Sequence, residues 1–203
     1  MEQQIINTIK SNPVLLGQYI DLPIPEPYFS SKENLKAGIK AIVLGADPSN
    51  FSDSGKTRTM NVVFDLPKLD YFRSIISNLN CIGLQLENVY VQNVVRNYCT
   101  CETAKNKQWF EFAELWKPLL KEDLDKLDPD RKLPVFATTI YVFKALLNDK
   151  SKILDPARLY YEQLKYHLPE ENYLERKLIP CFRHMDYPYT KWEDFKNFVK
   201  TLL

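Results

Sequence analysis

No stretch of this 203-residue chain is apolar for long enough to cross a bilayer, which takes about 20 residues of helix. Charge of one sign is lacking too, since 27 Lys and Arg face 26 Asp and Glu. That balance excludes a global field pulling the protein onto nucleic acid or an anionic membrane, so any polyanion must be held by local contacts. The N-terminal segment MEQQIINTIKSNPVLL has no basic start, apolar core and small-residue cleavage site, so the expected location is the cytoplasm, away from membranes. Internal repeats, low-complexity tracts and linkers are also missing, and residues 1–203 read as a single domain long enough to bury a full core.

Two histidines, His167 and His184, and four cysteines, Cys81, Cys99, Cys101 and Cys181, leave little for metal ligation. Cys99 and Cys101 form C-x-C without a second close pair, which matches neither zinc nor iron-sulfur spacing, and thiols are expected in a reducing compartment. Ser54-Gly55-Lys56-Thr57 has the ending of a phosphate loop, but Asn50 stands where such a loop needs glycine, so nucleotide hydrolysis is set aside.

What is present is an alternation of strands and helices. Ile5, Ile6 and Ile9 recur at helical spacing over residues 2 to 11, and Pro13 stops the pattern. Residues 21 to 31, with Pro23, Pro25 and Pro27, read as an extended connection, followed by a short helix from Ser31. KAIVLGAD is a continuous apolar run of the kind buried on both faces of a parallel sheet. A helix over about 67 to 78, capped near Asp65, leads to a second strand, NVYVQNVV. A helix over about 107 to 127 carries Trp109, Phe112 and Trp116 on one stripe. The strand LPVFATT, helices near 139 to 149 and 156 to 167, the strand KLIPCF and an amphipathic helix from about Thr190 complete the chain. This order predicts an α/β fold, a three-layer sandwich with a central, mostly parallel four-stranded sheet flanked by helices.

In such sheets ligands lie beyond the carboxyl ends of the strands. Asp47 after the first strand, Asn93 at the end of the second and His184 after the last are therefore the candidate site residues.

IVLGADPSN, VYVQNVVRN and the late CFRHMDYP resemble, in order and spacing, the motifs of the uracil-DNA glycosylase superfamily across about residues 40 to 200. The resemblance implies a DNA-repair hydrolase that removes a deaminated base such as uracil, works as a monomer and needs no metal or cofactor. It implies that Asp47 positions water and stabilises the sugar cation, and that His184 hydrogen-bonds the leaving base. By the same resemblance, Gly45, Ala46, Phe64 and Asn93 bind the base, Phe64 by stacking and Asn93 by reading its edge. Lys56, Arg58, Arg183, Met185 and Tyr187 would contact DNA, the His184 loop filling the gap left by the extruded base. The chemistry suits these groups, because N-glycoside hydrolysis passes through an oxocarbenium-like sugar that a carboxylate and a donor at the leaving base both favour.

A second reading stands beside it: a catalytically silent nucleobase- or nucleic-acid-binding relative of the same fold. Ser49-Asn50 replaces the aromatic or glycine that follows the family's Asp-Pro, and Met185-Asp186-Tyr187 is bulkier than the family's small residues. Residue by residue, plainer roles also exist. Asp47 beside Pro48 is a common turn former, Asn93 fits a paired core amide, and a lone histidine fits a structural role. Phe64 reads by default as core, with only the resemblance making it a base platform, and Lys56 and Arg58 read by default as a solvated loop.

Overall fold

A computed structural model of the protein describes residues 1–29, 38–49, 57–63, 70–149, 151, 155–161, 168–184 and 186–203, without the side chains of 70, 71 and 161. The expected helix at Ser31, the cap at Asp65, and Lys56, Phe64, His167 and Met185 lie outside the described residues.

Helix α1 (Glu2–Ser11) buries Ile5, Ile6 and Ile9, the stripe its sequence spells out. It stops at Asn12, whose side-chain oxygen accepts from the N–H groups of Val14 and Leu15 at 3.0 and 3.3 Å. With Pro13 at a first helical position, where its missing N–H costs nothing, the stop signal also starts a second short helix, α2 (Pro13–Leu16).

Four strands form the central sheet: β2 (Ala41–Gly45), β3 (Val89–Asn93), β5 (Val135–Ala137) and β6 (Leu178–Pro180). Their order is β3-β2-β5-β6, and all three pairings are parallel. Every residue of these strands is buried, which explains their unbroken apolar runs. Pro180, without an N–H for a ladder, ends the edge strand β6. A separate two-stranded antiparallel ribbon joins β1 (Tyr19–Ile20) to β4 (Tyr98–Cys99). Two residues per strand are too few to show a period, so no sequence pattern marks it.

Between the strands run α3 (Asp70–Cys81), α4 (Trp109–Leu127), α5 (Ile140–Leu146) and α6 (Arg158–Tyr161), and α7 (Glu193–Lys200) follows the last strand. Helices α1 and α5 pack on α4, while α3 packs on the turn leading into α7, so helices cover the sheet as a three-layer α/β sandwich. In α4, Pro118 interrupts the hydrogen-bond ladder at a cost of about 3 kcal/mol. Burial of Trp109, Phe112, Trp116, Leu120 and Leu124 on one face offsets that cost, at about 1.5–3 kcal/mol for each aliphatic side chain. Among the described residues no helix is long and apolar enough to cross a membrane.

At the amino ends of the strands, Arg176 is fully buried. It donates to Asp125 and Asp128 at 3.0 and 3.1 Å and to the Leu124 and Asp128 carbonyls at 2.9 Å, tying the entry to β6 to the end of α4. This network lies away from the strands' carboxyl ends and belongs to the scaffold.

Candidate active site

Because β3 lies on one side of β2 and β5 on the other, the strand order reverses at β2, and a crevice opens beyond the carboxyl ends of β2 and β5. A cavity of about 650 Å³ occupies that position, within the size range of small-molecule sites. Its wall includes Ala46 and Asp47 after β2, Asn93 ending β3, Thr138 and Thr139 after β5, and Phe182, Arg183, His184 and Tyr187 after β6. Thr139 also caps α5, accepting from the N–H of Val142 at 3.2 Å.

Among the described residues, Ser49, Thr103 and Trp109 donate to Asp47. Oδ1 accepts the N–H of Ser49 at 2.9 Å, an Asx turn that fixes the loop after β2. Oδ2 accepts the Thr103 hydroxyl at 2.5 Å and the Trp109 indole N–H at 2.9 Å. Burial pushes the carboxyl's pKa above its ordinary value, and the donors from Ser49, Thr103 and Trp109 offset part of that rise. Ser49 Oγ in turn accepts the N–H of Cys99 at 2.7 Å, which ties the loop to β4.

Asn93 stands opposite Gly45 in the β2–β3 register. A Cβ on residue 45 would collide with the Asn93 side-chain oxygen, so glycine is required for the amide to lie across the end of β2. Main-chain needs are met separately, the N–H of Asn93 donating to Gln92 Oε1 at 2.8 Å. The side chain of Asn93 is buried, lines the cavity and has no hydrogen-bond partner among the described residues. A buried amide with donor and acceptor both unspent is uncommon in a folded protein, and its opening onto a cavity points to a ligand.

His184 sits on a turn closed by the N–H of Tyr187 donating to the His184 carbonyl at 2.9 Å. The Asp186 N–H lies 3.3 Å from His184 Nδ1 and the Asp186 carboxylate 3.2 Å from the same atom. A neutral imidazole accepts the first contact and an imidazolium donates to the second, so Nδ1 is served in either state. Asn78 of α3 holds the far side of this loop, its oxygen accepting the N–H of Tyr189 at 2.9 Å and its amide donating to the Tyr187 carbonyl at 3.4 Å. The Trp192 indole adds a donation to the Asp186 carbonyl at 3.0 Å.

No protein-family model matches the chain, and no curated protein matches it either.

The cavity therefore joins Asp47, Ala46, Asn93, Arg183, His184 and Tyr187 of the expected residues. Gly45 acts one step behind the wall by making room for Asn93. The Tyr187 ring lies among others, stacked on Tyr160 at 5.2 Å and edge-on to Phe182 at 5.7 Å, so it forms wall and not a projecting wedge. Arg58 is exposed, and Lys56, Phe64 and Met185 lie outside the described residues. The described aromatics on the wall are Phe72, Tyr141, Phe182 and Tyr187.

Sequence reasoning missed Thr103, Trp109 and Asn78. Trp109 read as one more core aromatic, and it is fully buried, yet its indole N–H is spent on Asp47. Trp116 behaves alike, donating to Asn97 Oδ1 at 2.8 Å. Cys99 and Cys101 hold no metal-like arrangement, as no cluster of three or more His, Cys, Asp or Glu occurs among the described residues. Burial, followed by the nearby Asp47 charge, pushes the Cys99 thiol upward in pKa, which leaves it protonated.

Proposed function

We propose that the chain hydrolyses the N-glycosidic bond of a deaminated base in DNA, uracil foremost, as a divergent relative of the uracil-DNA glycosylases. The observation that carries this reading is a cavity at the sheet's switch point lined by a carboxylate, a buried amide without a partner among the described residues and a histidine, from three different strand ends. Asn93 offers one donor and one acceptor side by side, the complement of the N–H and C=O on a uracil edge. Phe72, Phe182 and Tyr187 supply apolar wall for a planar ring whose unstacking costs a few kcal/mol. Asp47 takes the roles of holding the attacking water and opposing the positive charge that develops on the sugar, and His184 donates to the base oxygen as negative charge gathers there. Arg183 at the rim and exposed Arg58 supply positive charge for phosphates in a chain of nearly neutral total.

A second reading, a silent nucleobase-binding relative, is favoured by one observation. Donors from Ser49, Thr103 and Trp109 already occupy the Asp47 carboxylate, leaving it little accepting capacity for water. Incubation with uracil-containing DNA, scored for free base, separates the two when run beside calorimetric titration with uracil. Release supports the hydrolase; binding of uracil without release supports the silent relative; neither event overturns both.

A further inference from the structure

Asp47 Oδ2 receives two donors from one direction in the chain, Thr103 from the turn before α4 and Trp109 from the first residue of α4. A carboxylate oxygen has two lone pairs, and both of these are taken. Oδ1 receives the backbone N–H of Ser49, and the Ser49 hydroxyl also bears on the carboxylate. Thr103 sits on the cavity wall, whereas Trp109 is fully buried behind it. Edge-on contacts at 5.3 Å to Phe110 and 6.1 Å to Tyr141 fix the plane of the indole and therefore the direction of its N–H.

We propose that Thr103 and Trp109 are positioning residues for Asp47: by saturating Oδ2 they lock the carboxylate's plane and leave Oδ1 as the oxygen that accepts from a substrate water. The proposal rests on the catalytic reading of Asp47 given above, and it names what aims that group. The arrangement also favours ionisation. Donors to the charged form work against the desolvation that raises the carboxyl's pKa, so the pair offsets part of that rise. Its donors are neutral, from Ser49, Thr103 and the indole, with the Cys99 thiol nearby, while Glu102, Arg183 and His184 stand on the same cavity wall.

The test uses the full chain with Thr103→Val, which keeps the shape and removes the hydroxyl, Thr103→Ser, which restores it, and Trp109→Phe. Two readouts are taken: the titration of the Asp47 carboxyl followed by carbon-13 NMR, and kcat with KM for base release. In Thr103→Val and Trp109→Phe the carboxyl titrates at higher pH than in the parent, and Thr103→Ser returns it. The same two variants lose on the order of 10²-fold in kcat with KM little changed, as expected for misaiming a group that acts in the transition state. Trp109 is a core residue, so Thr103→Val decides the matter if the indole variant does not fold. A folded Thr103→Val with the parent's Asp47 titration overturns the proposal. An Asp47 titration that moves in a chain whose parent releases no base upholds the locking of the carboxylate and overturns the hydrolase reading instead.

Discussion

Gly45 and Asn93 form a matched pair: they stand opposite each other at the ends of β2 and β3, and the amide of Asn93 occupies the space a side chain on residue 45 would fill. Gly45→Ala forces the amide off the strand end or the strands apart. The expected result is a loss of stability of about 1–3 kcal/mol by chemical denaturation. Uracil binding, followed by calorimetry, weakens by more than that loss explains, because the amide no longer faces the cavity.

Asn93 itself separates stability from function. Its side chain has no partner among the described residues, so replacing it with an apolar residue of similar size forfeits no hydrogen bond and removes a desolvated amide. Asn93→Leu is expected to match or exceed the parent in thermal midpoint while losing uracil binding. A clear drop in midpoint means that the amide is paired within the protein.

Asp47 gives the pH dependence a definite sign. Its folded-state pKa lies above the unfolded value of about 3.9, so the native state holds this proton more tightly. Stability from this group is fully present below the unfolded pKa and is lost as pH rises through the folded pKa. The difference in unfolding free energy between Asp47→Asn and the parent should therefore shift in favour of the variant from pH 3.5 to pH 7, whatever its constant offset. Those two values bracket about 3.9 and the region above it. A difference independent of pH contradicts the raised value.

Asn78 clamps the His184 loop through two main-chain groups, the Tyr187 carbonyl and the Tyr189 N–H. Asn78→Ala leaves both without that partner and is expected to cost about 2–3 kcal/mol in denaturant unfolding. Hydrogen exchange at Tyr189 should accelerate beyond what global destabilisation accounts for, since that amide loses its acceptor.

The fold was readable because buried parallel strands need long apolar stretches, and IVLG, VYV and VFA supply them between helical periods. Asp47, Asn93 and His184 were readable for a related reason: topology puts residues that follow parallel strands at one edge of the sheet. Their supports were not. Thr103 and Trp109 reach Asp47 from 56 and 62 positions away, and Asn78 reaches Tyr189 from 111 away, and no local pattern encodes such pairings. The indole of Trp109 is apolar by bulk and polar by one atom, so a hydrophobic stripe conceals its donor. The two-residue strands β1 and β4 escaped because they are shorter than any period, and α2 because the proline that ends one helix begins the next.

Free base released from uracil-containing single- and double-stranded DNA, compared between the parent and Asp47→Asn, tests the central claim most directly. The account predicts release by the parent and a fall of several orders of magnitude in the variant, about 10³-fold or more, with the fold retained. Release at the parent's rate by Asp47→Asn, or none at all from a folded parent, would contradict it.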